Sequence, residues 1–190
     1  MSDRLDLIES SLQLAESDAR AALPTLRERL SHPDWRVRYA AAVALEELPD
    51  PDSLPALLAA YEQENAAPLF EQKETYGSAH AGSNAGVALH LPLGLSEETL
   101  QAWRRRGRLK QALCLAFAAL GFKADAARPL LEHDVLDATQ DPMVRAAAAK
   151  ALGLITSPAS LPILQKATKD EEWCTNKEAT KAVASLSVKK

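Results

Sequence analysis

Between residues 34 and 48, apolar side chains recur with the period of a helix. Val37, Ala41, Ala44, Leu45 and Leu48 stand at i, i+4, i+7, i+8 and i+11, one stripe on one face. Alanine fills most of the remaining positions, which favours helix and keeps it thin enough for a neighbour to approach closely. Asp34 precedes the first apolar position and is the expected N-cap. The run Pro49-Asp50-Pro51-Asp52 must end this helix, because proline lacks the amide donor and clashes with the preceding turn. Ser53 is then placed to cap a second helix carrying Leu54, Leu57 and Leu58. Pro55 is tolerated there because first-turn amides have no intrahelical partner. The pattern predicts a helical hairpin.

The hairpin is written twice. A shift of 107 positions lays residues 34–57 on residues 141–164 without a gap, with 13 of 24 identical. Val37, Arg38, Ala41, Ala44 and Leu45 return as Val144, Arg145, Ala148, Ala151 and Leu152. Pro51, Ser53, Leu54, Pro55 and Leu57 return as Pro158, Ser160, Leu161, Pro162 and Leu164. Asp141 repeats the N-cap, followed by Pro142 at the first helical position. A hairpin with one apolar face cannot cover that face alone, so copies must stack.

Weaker copies fill the rest. Leu5, Ile8 and Leu12 mark a short amphipathic helix, and Leu23-Pro24 matches Leu54-Pro55 in a degenerate first repeat. Residues 62–76 are irregular and read as an insertion. Gly86-Val87-Ala88-Leu89 aligns with Ala42-Val43-Ala44-Leu45, which places the first helix of a third repeat over 77–90. Ser96-Glu97-Glu98 opens its second helix, with Leu100 and Trp103 as anchors. A fourth repeat carries Ala112, Leu115, Ala116, Ala119 and Leu120, stops at Gly121, and continues over 126–133. The fifth is the second strong copy, and a final helix over about 175–187 closes the stack.

The motif Asp-x-x-Val-Arg-x-x-Ala-Ala-x-Ala-Leu, followed by Leu-Pro-x-Leu, resembles the HEAT repeat. In particular it resembles the short HEAT-like repeat of phycobilisome lyases and of many bacterial proteins with other roles. The resemblance is strong over 34–57 and 141–164. It implies an all-α solenoid of about five helical hairpins plus a C-terminal capping helix, in one domain spanning 1–190. It also implies that Asp34, Arg38, Asp141 and Arg145 form a structural ladder between hairpins. Such a motif specifies fold far better than function.

Composition narrows the classes. Apolar residues make up 47% of the chain and aromatics 5%, so the interior is built of alanine and leucine. No apolar run approaches the ~18 residues of a membrane span. The acidic N-terminal residues Asp3, Asp6 and Glu9 do not resemble a secretory leader. Cys114 and Cys174 are too few for a disulfide framework, and a cytoplasmic setting is the expectation. A net charge of −4 argues against a dedicated nucleic-acid binder.

No sequence feature supplies a catalytic site, a metal site or a cofactor. There is no Gly-x-Ser-x-Gly elbow and no phosphate-cradling glycine loop. Cys114 lies on an apolar helix where thiols are inert packing. Isomerising phycobilin lyases carry adjacent Cys and His, and neither cysteine here has one. The iron hydroxylase with HEAT-like repeats carries His-Glu dipeptides, whereas Glu132-His133 has the reverse order. His80 and His90, with Glu71 and Glu74 nearby, lack any metal-ligand spacing.

Binding candidates remain. Residues 62–90 hold an insertion and Gly82 and Gly86 at i, i+4, a flat strip open to a neighbour or ligand. The run Arg104-Arg105-Arg106-Gly107-Arg108-Leu109-Lys110 is the strongest local charge feature. It is read as the end of a helix, where cations favour the dipole, or as a grip for an acidic partner. The expectation is a non-catalytic adaptor that holds another protein, acidic at its contact, through second helices. Arg27, Tyr61, Arg104, Arg105 and Lys166, with Tyr76 and His80 from the insertion, are the expected contacts. The alternatives are a bilin-lyase-type or chaperone subunit holding a tetrapyrrole or other small anion near His80 or His90, and a HEAT-like nucleic-acid binder of the DNA-glycosylase kind.

Overall fold

The computed structural model describes residues 6, 8–11, 19–66, 76–77, 91–92 and 95–187. Its helices are α1 (Ala19–Arg29), α2 (Trp35–Glu47), α3 (Leu54–Asn65), α4 (Glu97–Leu120), α5 (Arg128–Leu136), α6 (Pro142–Ile155), α7 (Leu161–Ala167) and α8 (Trp173–Ser187). Residues 8–11 are helical as well. Short 3-10 turns over Pro51–Ser53, Gly121–Ala127 and Pro158–Ser160 lead into α3, α5 and α7. A two-residue ladder, β1 (Tyr76–Gly77) against β2 (Leu91–Pro92), is antiparallel and pairs Tyr76 with Pro92 and Gly77 with Leu91.

The helices form two layers. First helices α2, α4, α6 and α8 pack one against the next. Each second helix packs on the first helix that follows it, α1 on α2, α3 on α4, α5 on α6 and α7 on α8. The stripe read from the sequence is the buried seam: Val37, Ala41, Ala44 and Leu45 are buried, as are Val144, Ala148, Ala151 and Leu152. Alanine on facing helices lets the axes come close, so the core continues from hairpin to hairpin.

Both strong copies open alike. The Asp34 carboxylate accepts from the Arg36 amide at 2.9 Å, and Asp141 accepts from the Met143 amide at 2.8 Å. Each aspartate is therefore an N-cap. Of the residues expected to form a ladder between hairpins, Arg145 donates to the Val135 carbonyl of α5 at 3.4 Å, and Arg38 and Arg145 both bond within their own hairpins. Arg38 donates to Glu64 at the end of α3 at 2.7 Å, and Arg145 pairs with Asp170 just beyond α7. Each arginine thus ties the start of its hairpin's first helix to the end of the second.

The serines are also reassigned. Ser53 and Ser160 are buried and make no side-chain cap. Ser53 donates to Asp50 at 2.8 Å and accepts from Arg27 of α1 at 3.1 Å. Ser160 donates to Glu132 of α5 at 2.7 Å. In both copies the serine fastens its turn to the second helix of the hairpin before.

Three element boundaries differ from the sequence reading. Glu62 to Asn65, assigned to the insertion, form the last turn of α3. Pro24 sits inside α1 rather than at its opening. Most consequentially, Ser96 caps α4 as expected, accepting from the Thr99 amide at 3.2 Å, but the helix then runs unbroken to Leu120. One helix spans what the sequence divides between the third and fourth repeats. Its packing against α2 puts it in the place of the next hairpin's first helix. Of the helix expected over 77–90, Gly77 lies in β1, and the remainder falls outside the described residues. Gly121 stops α4 as expected, with φ +59°, a conformation that favours glycine.

Candidate functional site

Two places in the described residues carry chemistry: a sealed polar cluster between α3, α4 and α5, and the exposed face of the first helices.

The sealed cluster centres on Lys110 of α4. Lys110 stands one turn from Leu113 and Cys114 and two from Phe117, so the helix carries its ammonium into the core, where it is 0% exposed. There it forms an ion pair with Asp134 and donates to Asn65 at 2.8 Å and Gln140 at 3.0 Å. Tyr61 of α3 donates to Asp134 at 2.6 Å, and its hydroxyl lies 3.5 Å from the Cys114 sulfur. The Tyr61 ring meets Phe117 edge-on at 5.7 Å and carries the Lys110 ammonium over its face at 4.9 Å. His133 lies 3.1 Å from the second Asp134 oxygen.

Burial shapes the protonation of these groups. Burial pushes the Cys114 thiol up to about 12, so no thiolate is available near neutrality. Burial, reinforced by the negative charge beside it, also raises the Tyr61 phenol well above its ordinary value. The ammonium and the carboxylate are each satisfied by two or more partners, the condition under which a buried pair persists. Tyr61, Lys110, Cys114 and Asp134 are all buried. Tyr61, expected as a contact for a partner, is 0% exposed and belongs to this core.

His133, Asp134 and Asp137 bring one ligand atom each within 4.8 Å of one another. Their carboxylate oxygens are already engaged. Asp134 takes Tyr61, Lys110 and His133, while Asp137 accepts from Thr139 at 2.7 and 2.9 Å and from Gln140 at 3.0 Å. Against the opposing effect of burial, these bonds hold Asp137 below the usual carboxylate range. A cation here would have to displace those donors and sit close to Lys110.

The arginine run disperses around its helix. Successive helical positions turn by about 100°, so neighbours in sequence are not neighbours in space. Arg104 and Arg108 lie within reach of the Asp141 charge across the α4–α6 contact. Arg106 lies half-buried within reach of the Glu64 charge. Arg105 is exposed and folds back onto the Gln101 carbonyl at 3.2 Å. The expected dipole role also falls away, since the helix continues beyond the run to Leu120.

Of the other expected contacts, Arg27 is committed to Asp50 and Ser53, and Lys166 is exposed on α7. Only the backbone of Tyr76 is described, and His80, His90, Glu71, Glu74, Gly82 and Gly86 lie outside the described residues.

The exposed apolar residues lie mainly on the first helices, whereas the partner contacts are expected on the second. Among the described residues, the large ones are Tyr39, Met143, Leu154 and Trp173 on first helices, with Phe122 on a turn and Leu136 on α5. Trp173 is 59% exposed and Met143 40%. They border a groove of about 260 Å³ where α4, α6 and α8 meet. The other two tryptophans are integrated. Trp103 is buried and donates to the Thr139 carbonyl at 2.9 Å, and Trp35 is half-buried beside Tyr39.

A stack of paired helices, with first helices in one layer and second helices in the other, defines an α-solenoid. A family model for HEAT repeats matches residues 8–69 and 97–185, and the chain belongs to the HEAT-repeat family. No curated protein sequence matches it. Among solved structures, it is similar to human deoxyhypusine hydroxylase in complex with glycerol, at 23% identity and a TM-score of 0.35. That similarity covers 97% of this chain and 80% of the other. No described helix is long and apolar enough to cross a membrane.

Proposed function

We propose that this chain is a non-catalytic scaffold that holds another protein on the face formed by its first helices. The observation that carries this reading is the exposure of Trp173 and Met143 beside one groove, while Tyr61, Lys110, Cys114 and Asp134 are buried. A large aromatic left in water at the junction of three helices is the usual anchor of a protein interface. The sealed cluster has the opposite character. Its buried ammonium, carboxylate and phenol are bonded to one another and its thiol is held protonated, so it is read as stabilising the stack.

This reading moves the contact surface from the second helices to the first. Arg27 and Tyr61 leave the set of contacts because α1 and α3 use them internally, and Lys166 on α7 becomes the control position. The test is affinity capture on immobilised protein with three baits, the natural chain, a Met143→Ser/Trp173→Ser double variant and Lys166→Glu. The expected result is a discrete set of proteins retained by the natural chain and by Lys166→Glu and lost from the double variant. Retention by the double variant with loss from Lys166→Glu would contradict the assignment.

A further inference from the structure

Resting on the scaffold reading, we infer that the groove between α4, α6 and α8 accepts an acidic helical segment of a partner, seated by one bulky apolar side chain. The groove's form gives the first half of this. Its floor is Leu115, Ala146 and Ala147, and Met143 and Trp173 stand at its sides. At about 260 Å³ it lies below the ~300–1,000 Å³ typical of small-molecule sites. It has room for one bulky side chain. Helix-in-groove recognition works this way, with the apolar edge of an amphipathic helix laid between two others.

Charge gives the second half. Lys150 of α6 and Lys177 of α8 stand on the rim and are exposed, and Lys181 follows one turn along α8. Among the described residues the only acid lining the groove is Glu178, and Lys181 donates to it at 2.6 Å. The rim therefore presents Lys150 and Lys177 as its uncompensated charges. The Lys177 ammonium lies 4.4 Å from the Trp173 ring centroid, a cation–π contact that holds cation and anchor together. An incoming carboxylate would meet Lys150, one turn beyond the apolar floor on α6, and Lys177 on α8. Such placement steers association and selects against basic partners. The chain as a whole is acidic, so a cationic rim here is a local feature and not a reflection of composition.

The test uses a fluorescein-labelled helical peptide with one Phe anchor flanked by glutamates, and the same peptide with lysines in their place. Binding is read by anisotropy against the whole chain. The acidic peptide should bind at least about tenfold more tightly than the basic one. Trp173→Ala and the charge reversal Lys150→Glu/Lys177→Glu should each weaken it by a similar factor, and Lys166→Glu should leave it unchanged. Added salt should reduce the acidic preference. Equal binding of both peptides, indifference to the charge reversal, or no binding of the acidic peptide would overturn the inference. So would a chain that is dimeric by light scattering and becomes monomeric on Trp173→Ala, because a second copy would then fill the groove. The scaffold reading fails separately, if the capture baits above show no dependence on Met143 and Trp173.

Discussion

Gly107 of α4 lies against Asp141, the N-cap of α6, so closely that a methyl group at 107 would fall 2.8 Å from both the Asp141 Cβ and its Oδ2. This contact explains the glycine inside the arginine run. The charges of Arg104 and Arg108 favour the ionised carboxylate that the glycine admits, without outweighing its burial. A sequence feature that reads as a basic patch is in large part the socket for the next hairpin.

Gly107→Ala therefore sets helix propensity against packing. Alanine gains about 1 kcal/mol of helix preference, whereas forcing a methyl into a filled contact costs about 1–3 kcal/mol. We expect a net loss of up to about 2 kcal/mol by urea unfolding. Gly153→Ala should cost more, because its methyl would meet Ala182 of α8 at 2.7 Å from Cβ and 3.0 Å from the backbone Cα. The reverse order would mean that the α4–α6 contact is the tighter one.

Burial holds the Asp141 carboxyl above its ordinary value of 3.8, and the nearby Glu172 charge adds to the shift, while the Met143 amide and the two arginines oppose it. A raised carboxyl favours its protonated form in the folded state. Its ionisation thus costs stability, increasingly as pH rises from about 3.8 through the folded value, and fully above it. Asp141→Asn keeps an N-cap of similar quality and removes the charge. The variant should equal the natural chain below pH 3.8 and gain on it as pH rises, read as the difference in urea midpoints. A variant that loses ground with rising pH would show that Arg104 and Arg108 outweigh the burial.

Lys110→Met should be severe, since it leaves Asp134 charged and unpaired in the core, at about 3–5 kcal/mol. Tyr61→Phe removes one hydrogen bond to the same carboxylate and should cost about 1–3 kcal/mol. Adding Asp134→Leu to Lys110→Met should restore part of the loss, because no buried charge then lacks a partner. Strict additivity in that double-mutant cycle would mean the two side chains act independently.

The thiols should separate in time. Cys114 is fully buried and its thiol is pushed up to about 12, so Ellman's reagent should reach it only when the chain unfolds. Cys174, half-buried beside Pro142 and also raised by burial, should react first, though more slowly than a free thiol. Equal fast rates for both would show that α4 opens locally.

Much of this architecture is legible from residue spacing. The stripe from Val37 to Leu45, its copy from Val144 to Leu152 and both N-caps reflect local periodicity, and local periodicity survives in the fold. What escapes is set by distance along the chain. Arg38 finds Glu64 and Tyr61 finds Asp134, pairs separated by 26 and 73 positions, so neither partner shows in its own segment. One signal for the sealed cluster was available. Lys110 falls on the same stripe as Leu113, Cys114 and Phe117, and a lysine within an apolar seam must find an anion there. The continuity of α4 is harder to read, because Gly107 and its arginines imitate a helix end. Nothing in the run itself announces the Asp141 that makes the glycine useful. Trp173 is similarly opaque, since its exposure depends on how α8 sits on α6.

The most direct test of a partner held on the first-helix face is site-specific photo-crosslinking in living cells. A benzoylphenylalanine at Tyr39 or Met143 is compared with one at Glu62 or Gln165 on the second helices. The account predicts a discrete protein adduct from positions 39 and 143 and none from 62 and 165. Adducts confined to positions 62 and 165 would contradict it.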